Sequence, residues 1–328
     1  MAEQGQAAAL WYAAPGKAEW RSETLPALPP GHCRVRTLFS ALSRGTESLV
    51  FHGKVPESER DRMRAPMMAG DFPFPVKYGY AAVGLVEDGP KNVIGKAVFA
   101  LHPHQDLFDV APDQAAFLPE GLPPQRGILA ANMETALNAL WDSGATAGQR
   151  IAVIGGGVVG LLVGYLAARL PGAEVTLVDL EPKRAALARA LGMGFTAPAS
   201  APQHCDVAFH ASGVGAGLNT AIACAGDEAT VIEMSWYGEG QVPVALGGAF
   251  HSRRLILKAS QVGKVAPNMR PRWSYGRRLA MALDLLRDAR LDALLEAPIT
   301  AADLPARLPD ILKPGGGVLC QPIAYPVS

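Results

Sequence analysis

The sequence predicts an α/β protein, with a doubly wound parallel sheet joined to a separate β-rich domain. Three observations predict it. An apolar run, Ile151–Ile154, leads into Gly155-Gly-Gly-Val-Val-Gly160, then an apolar helical pattern, then a second apolar run ending at Asp179. From about residue 125 strand-like runs alternate with helical patterns, which implies a parallel sheet with crossover helices. Before that point, and again near the end of the chain, short β-like runs are punctuated by Pro and Gly.

In the first region, 1–124, strand-like runs fall at His32–Thr37, Ala82–Glu87, Ala97–Leu101 and Phe108–Ala111, with turn residues between them. Ser58–Arg64 is a charge cluster that suits a solvated helix or lid. In the second region, 125–270, Asn132 caps a helix running through Asp142. Strand-like runs follow at Ile151–Ile154, Glu174–Val178, Asp206–His210, Thr230–Met234 and Leu255–Ala259, with a helical pattern at Pro182–Leu191. In the last region, 271–328, Arg277–Ala289 reads as a helix, and β texture returns from Leu294. The uncharged stretch Ile151–Ala168 has the length of a membrane span, but five glycines lie inside it and Pro171-Gly172 follows. A strand and a helix account for it better.

Bulk composition narrows the function classes. At 328 residues and 49% hydrophobic, the chain can form about two ordinary domains with real cores. Lys+Arg and Asp+Glu balance at 30 each, which points away from nucleic acid and anionic membranes as partners. Cys33, Cys205, Cys224 and Cys320 are far apart and form no Cys-x-x-Cys, which fits thiols in a reducing cytoplasm. No basic segment precedes the early apolar run Ala7–Ala14, so no secretory signal is expected.

The glycine pattern carries the chemistry. Gly155, Gly157 and Gly160 form G-x-G-x-x-G between a strand and a helix, and Asp179 follows Gly160 by nineteen residues. This is the context a dinucleotide site needs. Gly155 allows the tight turn, Gly157 lets a pyrophosphate approach the backbone, and Gly160 lets the helix lie close to the strand. The free N–H groups and positive dipole end of that helix then face the phosphates, and Gly156, Val158 and Val159 count with the three glycines as cofactor contacts. A carboxylate at Asp179 accepts ribose hydroxyls and repels a 2′-phosphate, which favours NAD(H) over NADP(H). Lys183 and Arg184 pull the other way, and a helix-capping role for Asp179 is the alternative. A nucleotide-free unit with the same glycines is the structural alternative to the whole motif.

Several segments resemble the medium-chain dehydrogenase/reductase superfamily. Arg34–Glu47 is similar to its strand leading into the first zinc-ligand motif. Lys77-Tyr-Gly-Tyr80-Ala81-Ala-Val-Gly84 is similar to its G-H-E-x-x-G, and Gly95–Phe99 to a following strand. Ala131-Asn-Met-Glu134-Thr135 resembles the helix carrying a third zinc ligand. The resemblance covers nearly the whole chain. It implies a GroES-like catalytic domain, a Rossmann cofactor domain, an active site in the cleft between them, and a homodimer through the outer strand, here Leu255–Ser260.

The departures imply a zinc-independent member. Ser43, Tyr80 and Ala131 stand where zinc members place metal ligands, and the four-Cys structural lobe is replaced by His102-Pro-His104. The Ser-x-Gly-Thr-Glu pattern is loosely similar to bacteriochlorophyllide hydroxyethyl dehydrogenases. By this resemblance, Tyr80, Thr46 and Ser43 are candidate hydrogen-bond donors to a developing alkoxide, with Glu47 behind them. Each has a packing or turn role as its alternative. Glu134 is either a base near nicotinamide or a carboxylate stabilised by its helix dipole. Thr135, Ala211 and Ser212 are expected cofactor contacts. His210 reads as a packed structural histidine. His102 or His104 is a further candidate acid, and Arg253-Arg254 could meet an acidic substrate group. The expected activity is hydride transfer between NAD(H) and a small carbonyl or alcohol substrate. The alternatives are an NADPH-dependent enone or quinone reductase and a catalytically silent dinucleotide-binding protein.

Overall fold

The computed structural model describes residues 5–313, 315 and 317–326. The chain divides into two units, one made of Met1–Ala131 with Leu279–Ser328 and the other of Asn132–Arg278.

In the first unit the chain opens on a hairpin, β1 (Gly5–Ala14) and β2 (Lys17–Leu25), turned by Pro15-Gly16 with Gly16 at φ 70°. β3 (Cys33–Ala41) leads into α1 (Arg44–Phe51), and the charge cluster forms a short helical turn with α2 (Arg60–Met63). β4 (Ala69–Gly70), β5 (Val76–Lys77), β6 (Ala82–Asp88), β7 (Ala97–Ala100), β8 (Leu107–Val110), β9 (Ala116–Phe117) and the short α3 (Pro124–Gly127) follow. α4 (Ala130–Ser143) runs on into the second unit.

The second unit contains β10 (Arg150–Ile154), α5 (Val158–Ala167), β11 (Glu174–Val178), α6 (Arg184–Ala190), β12 (Gly194–Thr196) and β13 (Cys205–His210). It continues with α7 (Gly215–Cys224), β14 (Ala225–Glu233), α8 (Ala249–Ser252) and β15 (Ile256–Ala259). α9 (Tyr275–Leu285) leads the chain back to α10 (Leu304–Ile311), with β16 (Ile299–Thr300) before it and β17 (Pro322–Ala324) after it.

The second unit's sheet is six-stranded, in the order β12-β11-β10-β13-β14-β15, and each of its pairs is parallel. This is the doubly wound order whose switch point lies beside its first strand, here β10. Strands covered on both faces need apolar runs, and Ile151, Ala152, Val153, Ile154, Leu177 and Val178 are all buried. α5 is buried along nearly its whole length from Gly160 to Ala167, so the long uncharged stretch is a strand, a turn and a helix. Among the described residues no helix is long and apolar enough to cross a membrane.

The first unit holds a four-stranded sheet, β2-β1-β5-β4, and a seven-stranded sheet, β16-β17-β3-β6-β7-β9 with β8 paired to β3. One core joins Leu10, Tyr12, Val50, Phe51 and Val76 to Leu304, Leu308, Ile311 and Ile323 of the return segment. Arg126 binds that segment too: it grips Asp292 through two bonds of 2.7 Å and donates to the carbonyls of Leu286 and Arg287.

Some expected boundaries move. Asn132 lies inside α4 rather than at its cap, because the helix starts at Ala130. α9 begins at Tyr275, two residues before the expected Arg277, after Ser274 takes the capping bond from the N–H of Arg277 at 3.1 Å. The expectation for Thr230–Met234 is met by a longer strand beginning at Ala225. All four cysteines are free and buried.

Candidate functional site

The glycine turn in the second unit shows why three glycines are spaced as they are. Gly155 sits at φ 106°, and a Cβ there would meet the backbone of Ser212 at 2.7 Å. A Cβ on Gly160 would fall 1.9 Å from the carbonyl oxygen of Gly155. These two glycines are required by packing. Gly157 is different: it is exposed at φ −74°, and a Cβ there would meet nothing within 4 Å. The space over Gly157 is open, and no side chain caps the start of α5. The first N–H groups of a helix have no partner within it, and no side chain supplies one at the start of α5.

Asp179 closes the turn from the end of β11. Its Oδ2 accepts the N–H of Gly156 at 2.5 Å and its Oδ1 accepts the N–H of Glu181 at 2.7 Å. The carboxylate is thereby fixed in orientation while remaining half-exposed. Lys183 is exposed and lies 3.4 Å from Glu181, so its charge is answered locally. Arg184 lies nearer the turn, with Cγ 3.2 Å from the Cβ position of Gly156.

At the end of the neighbouring strand, the N–H of Ala211 donates to the carbonyl of Ile154 at 2.8 Å, which ties β13 to β10 at the turn. Ser212 Oγ is 2.6 Å from His210 Nε2, and His210 Nδ1 is 2.8 Å from Glu233 Oε1. The hydroxyl of Tyr237 also donates to Glu233, at 3.0 Å. His210 is fully buried, as its place in an apolar strand predicts, and its two ring nitrogens are both engaged. Its bonds hold Glu233 ionised, with the carboxyl below its usual range despite burial. Sequence reading missed Glu233 and Tyr237, because nothing local marks them as partners of a residue more than twenty positions away.

In the first unit, Tyr80, Ser43 and Thr46 meet. The Tyr80 hydroxyl donates to Ser43 Oγ, and Thr46 bonds to the same phenol. Burial raises the Tyr80 phenol to about 12, against the opposing effect of its Ser43 and Thr46 bonds. Glu47 lies beneath this cluster, fully buried. It accepts the N–H of Ser43 at 2.7 Å, the hydroxyl of Tyr12 at 2.7 Å and a bond with His104 Nε2 at 2.9 Å. The bond to Ser43 closes the first turn of α1 from below and fixes the serine. Arg44, from the same motif, turns away and donates to the carbonyls of Ile311, Lys313 and Val318.

Both candidate histidines are engaged within the first unit, His104 by hydrogen bonds and His102 by stacking. His104 Nδ1 is 2.8 Å from Ser40 Oγ, which in turn is 3.0 Å from the Tyr325 hydroxyl. His102 is buried and stacked on Phe108, with centroids 3.9 Å apart, and burial pulls its pKa down to about 3. A ring that stays neutral at that depth holds no imidazolium proton at neutral pH. Tyr12, Ser40 and Tyr325 were not singled out from sequence. Nothing in the continuous apolar run of β1 marks Tyr12 as inward, and only the sheet brings it to Glu47.

Glu134 is not free to act as a base. Its Oε1 is 2.9 Å from Arg278 Nε, and both side chains are buried. Burial raises the carboxyl above its usual range, and Arg278 offsets only part of that. The ion pair extends along α4: Arg278 Nη1 donates to Asn138 Oδ1 at 2.8 Å, and Asn138 Nδ2 donates to Asp142 Oδ2 at 3.0 Å. Thr135 is half-buried on the same helix. Among the described residues no three His, Cys, Asp or Glu side chains converge as metal ligands. Ser43, Tyr80 and Ala131 do not make a zinc-binding donor set.

No family model and no curated protein matches the sequence. Solved structures do match in fold. L-idonate 5-dehydrogenase from Escherichia coli K-12 superposes with a TM-score of 0.80 at 14% identity, covering 98% of this chain and 99% of that one. A Sinorhizobium meliloti 1021 protein described as a zinc-binding dehydrogenase, bound to NADP, gives 0.78 at 19% identity, covering 98% and 100%. A short chain alcohol dehydrogenase from Escherichia coli CFT073, complexed with NADH, gives 0.76 at 12% identity, covering 98% and 99%. At these identities the likeness shows the fold, over 98% of this chain in each case.

Proposed function

We propose that the protein is an oxidoreductase of the medium-chain dehydrogenase/reductase superfamily. In this reading it transfers hydride between NAD(H) and a small carbonyl or alcohol substrate, with side-chain hydroxyls in place of zinc. One observation carries the reading: the glycine turn is packed shut at Gly155 and Gly160, open at Gly157, and faced by an oriented carboxylate at Asp179. Those residues fit a dinucleotide. The first N–H groups of α5 would receive the pyrophosphate, and Asp179 the adenine ribose hydroxyls. The nicotinamide, when bound, supplies the hydride donor or acceptor.

The protein's own contribution is the hydroxyl cluster. Tyr80 remains protonated across the physiological range, since its pKa lies near 12. In the structure that proton is given to Ser43 Oγ, so presenting it to an oxygen gaining negative charge would mean exchanging this bond for one to the substrate. Ser43 and Thr46 orient the phenol and relay the proton, while Glu47 holds Ser43 from below. Glu134 holds α4 through Arg278, which replaces its expected role as a base.

A second reading, NADP(H), is favoured by Arg184 at the turn. Titrating NADH and NADPH separates the two: the NAD(H) assignment requires NADH to bind several-fold more tightly. Metal analysis of protein purified without added zinc should find far less than one metal per chain. A stoichiometric metal would refute the roles given to Ser43 and Tyr80.

The reading also includes a homodimer. β15 is an edge strand with Ile256 53% and Leu257 36% exposed, so an apolar edge with unpaired backbone groups is presented by residues of both orientations.

A further inference from the structure

From Gly240 to Leu283 the chain contains eight Lys or Arg residues and no Asp or Glu. Four of these cations are answered within the unit. Arg253 pairs with Asp227 at 3.8 Å, Arg254 with Glu228 at 3.0 Å, Lys258 with Asp142 at 3.5 Å and Arg278 with Glu134 at 2.9 Å. The other four, Lys264, Arg270, Arg272 and Arg277, have no carboxylate partner among the described residues.

Two of these, Lys264 and Arg270, line a cavity of about 390 Å³ together with Val265, Trp273, Ser274 and Tyr275. That volume is in the range of small-molecule sites and too small for a macromolecular segment. The walls are fixed rather than loose. Arg270 Nε and Nη2 both donate to the carbonyl of Val265, at 3.2 and 3.0 Å. The Tyr275 hydroxyl donates to the carbonyl of Gly263 at 3.0 Å. Trp273 contacts the Trp141 ring at 4.8 Å and carries the Arg277 guanidinium at 4.1 Å. Beneath the cavity, Val265 and Ala266 are buried, and the N–H of Ala266 donates to Asn138 Oδ1 at 3.1 Å. The segment follows β15, at the carboxyl ends of the parallel strands, where open sheets of this kind bind ligands.

Cations gathered in one concavity repel each other, and no protein carboxylate here offsets that repulsion. A lysine point charge meeting the arginine Nη1, the part of the guanidinium not turned to the Val265 carbonyl, matches a dianionic group better than a single carboxylate. Trp273 and Tyr275 add flat apolar wall beside it. We propose that this cavity binds a small organic phosphate monoester, with Lys264 and Arg270 on the phosphate and the aromatic wall against its organic part. The site shares no residue with the glycine turn, and its occupation does not depend on hydride transfer.

Calorimetric titration of the full chain with phenyl phosphate, at ionic strength held constant with sodium chloride, tests this. Saturable binding at one site per chain is expected, with none for neutral benzyl alcohol. Lys264→Gln and Arg270→Gln should each weaken phenyl phosphate at least tenfold. Both side chains are exposed, and Lys264→Gln, which breaks no bond in the wall, should melt with the wild type, whereas Arg270→Gln also releases the Val265 carbonyl. Gly157→Val should retain phenyl phosphate binding while losing NADH. Absent or unsaturable binding, or unchanged affinity in both charge variants, would overturn the proposal. Loss of binding in Gly157→Val would overturn it too, by placing the anion at the glycine turn. Because the readout is binding, hydride transfer by this protein could fail its own test without touching this result.

Discussion

Gly157 and Gly160 stand three residues apart in one motif, yet the structure requires that alanine act on them in opposite ways. In Gly160→Ala the new methyl falls 1.9 Å from a carbonyl oxygen, where ordinary contact begins near 3.4 Å. That atom is backbone, so the start of α5 must move by about 1.5 Å away from β10. Overpacking of this kind costs about 1–3 kcal/mol, or about 2–12 °C in melting temperature. In Gly157→Ala the methyl enters open space at a helix-compatible φ of −74°. A poorer cap and a stiffer unfolded chain oppose one another there, so stability should change by no more than about 1 kcal/mol. The methyl does, however, enter the space proposed for a pyrophosphate, and on that reading NADH affinity should fall at least about tenfold, or 1.4 kcal/mol. Gly164→Ala is the control on the same helix. Its methyl would meet the Met193 sulfur at 2.2 Å, a flexible side chain that can yield, so stability should fall less than in Gly160→Ala and NADH binding should persist. Urea denaturation and fluorescence titration of the three variants decide the matter. The reasoning is refuted if Gly157→Ala binds NADH as the wild type does, or if Gly160→Ala is as stable as the wild type.

Tyr80→Phe should lower kcat by about 10²-fold, the scale of losing one donor to a developing oxyanion, with NADH affinity unchanged. Full turnover in the variant would reduce Tyr80 to packing. The His102 ring, at about 3 in the fold against 6.5 in the open chain, is buried neutral. Its contribution is fully present above pH 6.5, and as pH falls from there toward 3 it is lost by up to about 1.4 kcal/mol per pH unit. His102→Gln should therefore flatten the acid limb of a stability–pH curve; an unchanged slope would contradict the neutral burial. Glu134→Ala leaves Arg278 buried without its counter-charge and should cost about 3–5 kcal/mol by denaturant titration. Ile256→Lys on the exposed edge of β15 should convert a dimer to a monomer by light scattering, and a wild-type monomer at micromolar concentration would refute the assembly.

The doubly wound unit was legible because its signals are local. Each buried parallel strand is an apolar run, each glycine of the turn is bounded by that strand and α5, and Asp179 ends the next run, so residues within one β-α-β stretch specify the whole. The β-rich unit was legible in texture only. β1 and β2 went unread although Pro15-Gly16 marks their turn, and the return segment's place beside β3 is set by pairings hundreds of residues apart, such as Ile323 with Ser40. The same division runs through the side chains. Sequence comparison could put Ser43, Thr46 and Tyr80 in one neighbourhood, and the fold does bring their hydroxyls together. What sequence left open was the state of the titratable groups. Glu134 became half of a buried ion pair because Arg278 arrives from 144 residues away. His102 became a neutral stacking ring because Phe108 and the surrounding core exclude water from it. A residue's type and local period are written in the chain, but its charge depends on which neighbours remove its water and which return a hydrogen bond, and only the tertiary structure decides those.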